Sequence, residues 1–200
     1  MKAIVFFILL ALPSVLIADD HTKFCNGIKD WPKKSPIQAP GASSEGLQES
    51  DLQKHFNTIA VSDALTKHMT KGFVFVDTRK AKDRKVGQIP FAINITANAK
   101  DTKKKGSANE FSKNTLLKKL NKLSEKAKKK GKLQDMGLKE EYKSVTDAKD
   151  INFIVFCNGR KCHRSSFGGC ELLRLGIDKS KVHVMLDGYP GWLDANGPKS

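Results

Sequence analysis

The chain has 200 residues, room for one domain, or one domain with an appendage, and for a core that needs no disulfide staples. Lys and Arg number 36 against 21 Asp and Glu, a formal net charge of +15, which favours anionic partners of some kind and says nothing about fold. Four cysteines, Cys25, Cys157, Cys162 and Cys170, contain no Cys-x-x-Cys pair, and Cys162-His163 lacks the upstream cysteine that haem attachment needs; no metal and no cofactor are expected.

The first residues have the build of a secretory signal. Lys2 supplies the positive start, an apolar run follows from Ala3 to Leu12, and Ala18 offers a small residue for cleavage. The run is shorter than the ~20 apolar residues of a membrane span, although an uncleaved N-terminal anchor is the alternative reading. The working domain is therefore expected outside the cytoplasm, periplasmic or secreted, where disulfides persist. Four cysteines allow three full pairings, and the sequence does not choose among them. Residues 19–58, with Pro32, Pro36, Pro40 and Gly41, read as an irregular arm, part of which Cys25 and Trp31 would dock.

The folded domain is expected from residue 59 to the C-terminus. Residues 61–71 suggest a short helix capped by Ser62, with Ala64, Leu65 and Met69 on one face. Three short apolar runs rich in β-branched and aromatic residues read as buried strands: Phe73 to Val76, Ile151 to Phe156, and Lys181 to Leu186. A helix from Ser166 closes at Gly176, and the turn Asp187-Gly188-Tyr189-Pro190-Gly191 follows the last strand. Buried strands alternating with helices argue for a parallel α/β sheet.

Residues 98–150 differ, with 16 Lys and 8 acidic residues. Phe111, Leu116, Leu120 and Leu123 are spaced for one face of an amphipathic helix, flanked by Lys103-Lys104-Lys105 and Lys128-Lys129-Lys130. The segment reads as a Lys-rich helical insertion on the sheet domain. Either it is a solvated charged face or it touches an anionic surface. Nucleic acid is not expected, because few aromatics are interleaved to stack bases.

The chemistry concentrates where the second strand ends. Phe156 runs into Cys157, then a loop carries Gly159, Arg160, Lys161, Cys162, His163 and Arg164, and then a helix begins. Ligand sites in open α/β sheets lie outside the carboxyl ends of the strands. A helix N-terminus with successive loop N–H groups makes an anion-binding concavity. A cysteine in that field, near Arg160, Lys161 and Arg164, should have a depressed pKa and act as a sulfur nucleophile on an anionic substrate. Cys157 is the first choice and Cys162 the second. The bland alternatives are an inert strand-end Cys157 or a Cys157–Cys162 disulfide. Cys170, among Leu172, Leu173 and Leu175, reads as a small buried hydrophobe, and His163 as a solvated loop residue.

At these residues the chain resembles the rhodanese family. Phe73 to Ile95 is similar to the family's early strand, Asp-x-Arg signature and following turn, with Asp77, Arg79, Gly87, Ile89, Pro90 and Ala92 in place; Gln88 and Phe91 stand where the family usually has His and Gly. Cys157 occupies the family's active-site position, with Arg164-Ser165 after it, and Val184 to Gly197 resembles the closing strand, turn and Trp-containing helix. The resemblance implies a doubly wound α/β domain with a central, mostly parallel sheet flanked by helices. It also implies a sulfurtransferase: Cys157 takes sulfur from a small anionic donor as a persulfide and passes it to a thiol or protein acceptor. Gly159, Arg160, Lys161 and Arg164 would hold the donor, with Asp77 and Arg79 in support. The family's usual Cys-x4-Arg spacing is two residues longer here, and the added length carries Cys162. A second function follows from that pair, a thiol–disulfide redox protein using Cys157 and Cys162. A third is a non-catalytic module that binds an anion or an acidic partner. The Cys-x5-Arg spacing of related phosphatases does not match.

Overall fold

The computed structural model describes residues 23–27, 37, 48–98 and 109–200; the signal-like stretch, Trp31 and the Lys103–Lys105 run lie outside the described residues. In chain order the elements are α1 (residues 23–27), then α2 (Glu49–Gln53), β1 (Asn57–Thr58), α3 (Val61–Lys67), β2 (Phe73–Asp77), β3 (Ile93–Asn94), α4 (Lys113–Lys129), β4 (Asn152–Phe156), α5 (Arg164–Arg174), β5 (Val182–Met185) and α6 (Gly188–Asp194). The strands form one sheet in the order β1-β5-β4-β2-β3, every pair parallel. Among the described residues no helix is long and apolar enough to cross a membrane.

Parallel strands need both faces covered, so the central strands are apolar along their middles, with polar Asn152, His183 and Asp77 at or near their ends. On β4, Phe153 and Val155 face one cluster with Val74, Val76 and Val184. Ile154 and Phe156 face the other, with Phe75, Met185, Tyr189 and Trp192. Helices α4 and α5 belong to the first side and α3 and α6 to the second. Register aligns the strand ends: Asp77 lies opposite Phe156, and Phe156 opposite Met185. Cys157, one residue beyond, is thus placed at the carboxyl edge in the centre of the sheet.

The Lys-rich segment is not an appendage. Leu116, Leu120, Leu123 and Ala127 of α4, with Met136, Tyr142 and Ala148 beyond it, are buried in the same cluster as the strands. Asn121 secures the return of the chain: its Nδ2 donates to the Tyr142 carbonyl (3.1 Å) and its Oδ1 accepts from the Tyr142 N–H (2.7 Å). The charged residues line the outer side, where Lys128, Lys129 and Lys130 are exposed at the helix's C-terminal end, the end that favours positive charge. Phe111 is not on the helix. Ser112 is the N-cap, its hydroxyl accepting from the Thr115 N–H at 3.1 Å, so the helix starts after Phe111, which packs half-buried against the cluster.

The arm also departs from expectation. Its last residues form α2 and the edge strand β1, which pairs Asn57 with His183 and Thr58 with Val184. A two-residue strand has no periodicity to read; its partner β5 defines it. Ala60, not Ser62, precedes the first turn of α3, with extended backbone, and Met69 lies past the helix end at φ 58°.

Candidate active site

The end of β4 is fixed from both sides. Thr78 donates to the Phe156 carbonyl from its N–H (3.0 Å) and its hydroxyl (2.7 Å), and the Tyr189 N–H donates to the Cys157 carbonyl (2.8 Å). The second contact depends on Gly188: at φ 60°, a Cβ there would sit 2.3 Å from the Cys157 carbonyl oxygen. Only glycine lets the β5–α6 turn close on the site. Helix α5 approaches the sheet equally closely, since a Cβ on Gly168 would meet Thr78 at 2.7 Å and Val155 at 3.1 Å. Small residues in Ser-Ser-Phe-Gly-Gly-Cys are therefore the condition for seating the helix N-terminus over the strand ends.

Cys157 and Cys162 are both free thiols, and their environments are opposite. Cys157 is fully buried. Its Sγ lies against the Cys162 carbonyl oxygen and 3.3 Å from the Ser165 hydroxyl. Burial pushes its pKa well up, and the neighbouring Cys162 adds to the rise. Cys162 is half-buried. A hydrogen bond from the Cys157 thiol lowers its pKa most; the N–H groups of Asn158 and Arg164 and the charge of Arg164 add to this against the cost of desolvation, and the value falls from 9.0 to about 6. The Arg164 Nη1 stands 3.9 Å from the Cys162 sulfur. The acidic thiol expected at Cys157 is thus at Cys162. The two added residues carry the loop out and back, with the Cys162 N–H on the Gly159 carbonyl at 2.9 Å. That turn brings Cys162 to the N-terminus of α5, where the strand-end Cys157 already faces the Ser165 hydroxyl and N–H.

The expected cations separate into two roles. Arg160 is tied down: Nε donates to Asp187 (2.7 Å), and Nη1 to Glu49 (3.0 Å) and the Ile37 carbonyl (3.4 Å). It fastens the loop to α2 and to the β5–α6 turn, and these partners occupy its Nε and Nη1. Arg164 remains beside the sulfur and Lys161 is exposed on the loop. Gly159 takes φ 99°, where a Cβ would stand 3.4 Å from the Asp187 carbonyl oxygen. Asp77 and Arg79 support the site from below. They are fully buried, and Arg79 grips Asp77 with Nε and Nη2 at 2.7–3.2 Å. Its guanidinium stacks over Tyr189 at 4.0 Å and donates to the carbonyls of Gly87 (2.8 Å) and Asp83 (3.3 Å). The 80–87 loop is held in this way.

That loop presents a residue the sequence reading missed. The Asp83 carboxylate accepts from Asn158 Nδ2 (3.1 Å) and faces the Arg164 guanidinium (3.6 Å). It clamps the far side of the cysteine loop and competes for the one arginine beside Cys162. Its signal, a carboxylate six residues past Asp77 in an otherwise basic stretch, was present but had no partner in sequence.

Cys170 is not a bystander. It forms a disulfide with Cys25 across 145 residues of sequence. Burial was read correctly, but the bond was hidden because α1 docks beside β1 only through tertiary packing. The pairing leaves Cys157 and Cys162 as the two free thiols of the four.

Residues 61–195 match the rhodanese-like domain family, and the chain belongs to it. No curated protein matches. Similar solved structures include a Rhodopseudomonas palustris CGA009 protein of unknown function described as a possible tyrosine phosphatase (18 % identity, 76 % of this chain and 89 % of that one, TM-score 0.45). Others are the BH2092 protein of Bacillus halodurans (19 %, 76 % and 81 %, TM-score 0.44) and an As–Sb reductase of Leishmania major (13 %, 70 % and 79 %, TM-score 0.40).

Proposed function

We propose that the protein is an exported sulfurtransferase that carries sulfane sulfur as a persulfide on Cys162. One observation carries this reading: within a rhodanese-like domain, the thiol that is both reachable and acidic is Cys162, with a pKa of about 6. The thiolate attacks the outer sulfur of an anionic donor such as thiosulfate, forming a Cys162 S–S bond and expelling sulfite. The N–H groups of Asn158 and Arg164 and the Arg164 charge, which stabilise the thiolate, also stabilise the persulfide anion. Lys161 and Arg164 hold the donor, and a thiol or a protein cysteine takes the sulfur. The Cys25–Cys170 disulfide supports a periplasmic or secreted location, because such bonds persist in oxidising compartments.

The test is thiocyanate formation from cyanide with thiosulfate or an organic polysulfide as donor. Cys162→Ser brings the rate to background. Turnover at the wild-type rate in that variant contradicts the assignment. The exposed Lys128–Lys130 run further supports contact with an anionic surface. Replacing all three by Glu should abolish sedimentation with anionic vesicles, and unchanged sedimentation rejects it.

A further inference from the structure

The reading above uses one thiol and leaves the other unexplained. Cys157 is buried to 0 % exposure, so neither a soluble donor nor an external thiol reaches it. Yet it is not sealed into the hydrophobic core: its sulfur faces the cysteine loop, against the Cys162 carbonyl and the Ser165 hydroxyl, so it lies against the residue that carries the other thiol. The Gly159–Cys162 turn folds Cys162 back so that its carbonyl lies against the Cys157 sulfur. With Cys25 and Cys170 bonded to each other, no other cysteine of the chain competes. The sulfur electrophile within reach of Cys157 is whatever Cys162 carries.

We propose that Cys157 is the resolving thiol of this site, attacking the Cys162 persulfide so that the protein releases sulfide and is left with a Cys157–Cys162 disulfide. This rests on the persulfide forming at Cys162. The Cys157 sulfur attacks the Cys162 Sγ. The new bond joins the two cysteine sulfurs, and the bond from Cys162 to the outer sulfur breaks. That pair of electrons leaves with the outer sulfur, which is reduced from the sulfane to the sulfide level, and the Cys157 proton leaves with it as HS⁻. The two thiols are oxidised together. The Cys157 proton passes to the departing sulfur as the S–S bond forms, so that the attacking sulfur acts as a thiolate and the leaving group departs protonated. The cycle closes only when an external dithiol reduces the disulfide. The reaction class that follows this one is therefore dithiol–disulfide exchange, by a partner whose cysteines reach the half-buried Cys162 sulfur first.

The full-length protein is loaded with inorganic polysulfide in the absence of reductant, and released sulfide and tryptic peptides are measured. The wild type releases about one sulfide per chain, and its Cys157 and Cys162 peptides, separated by cleavage at Arg160 and Lys161, are recovered as a linked pair about 2 Da lighter than their sum. Cys157→Ser instead keeps an adduct of about 32 Da on Cys162 and releases sulfide only when dithiothreitol is added. A wild type that holds the adduct and releases no sulfide overturns the resolving role while leaving the persulfide intact. Failure of both proteins to take up sulfur overturns both readings. Cys157→Ala, with folding checked by circular dichroism, replaces the serine variant if the buried hydroxyl unfolds it; the wild-type peptide map decides the matter without either.

Discussion

At Cys162 the thiolate is a product of position. It has a neighbouring thiol that donates, two loop N–H groups and a guanidinium, against partial burial that opposes ionisation. Because the charged form is favoured, reactivity appears as pH rises through about 6 and is flat above it. Iodoacetamide alkylation of Cys162 should follow that profile, with Cys157 unlabelled over the same range; a single inflection at the ordinary value of 9.0 rejects the site as drawn. Arg164→Gln should move the inflection upward. Asp83→Asn acts oppositely, since Asp83 shares Arg164 with the sulfur. Partly exposed ion pairs are worth ~0.2–1 kcal/mol, so releasing the arginine lowers the apparent KM for an anionic donor by up to about fivefold. An unchanged KM and alkylation profile would show that Asp83 only positions the loop through Asn158. These neighbours explain what was legible. The strand running into Cys157 and the cationic loop after it could be read directly. Which sulfur is acidic could not, because that depends on how a loop two residues longer folds back, and on Asp83 arriving from the 80–87 loop.

At the scale of elements, α4 and the β5–α6 turn carry the most consequence. Leu120 is fully buried in α4, and Leu120→Ala should destabilise the whole domain by about 2–5 kcal/mol in denaturant unfolding. An unchanged midpoint would mean that α4 folds and unfolds independently of the sheet. The spacing of Leu116, Leu120 and Leu123 did reveal the helix and its inward face. What it did not reveal is the depth of that face, since lysines dominate the segment's composition while packing is decided by four or five side chains. Gly188→Ala places a methyl into the Cys157 carbonyl at a positive φ. The expected cost is at least ~1–3 kcal/mol, together with slower sulfur uptake because the strand end must shift. Loss of stability without loss of uptake would separate the turn from the site. The central strands were readable because burial on both faces makes them continuous apolar runs. β1 and β3, two residues each, are defined only by their partners.

Across the whole molecule, the Cys25–Cys170 bond ties the N-terminal arm to α5, the helix whose first turn forms the cysteine cradle. Closing 145 residues removes chain entropy equivalent to about 5 kcal/mol in the simplest treatment. The Cys25→Ser/Cys170→Ser double variant should therefore unfold at clearly lower denaturant. Thiol titration of the unreduced, denatured protein should find the two free thiols assigned to Cys157 and Cys162; four would show that the bond does not form. Sequence order alone could not choose this pairing from the three possible. The choice follows from α1 and α5 meeting over the sheet edge. The molecule thus keeps one cysteine pair as a structural tie and leaves the other pair reduced at the carboxyl edge of the sheet.

The placement of the reactive sulfur is tested most directly by loading Cys157→Ser and Cys162→Ser with the same sulfane donor and mapping the added mass by peptide. The structure predicts an adduct of about 32 Da on Cys162 in the first variant and none on Cys157 in the second. An adduct on Cys157 in the Cys162→Ser protein, with none on Cys162 in the Cys157→Ser protein, would return the nucleophile to the strand end and contradict the account.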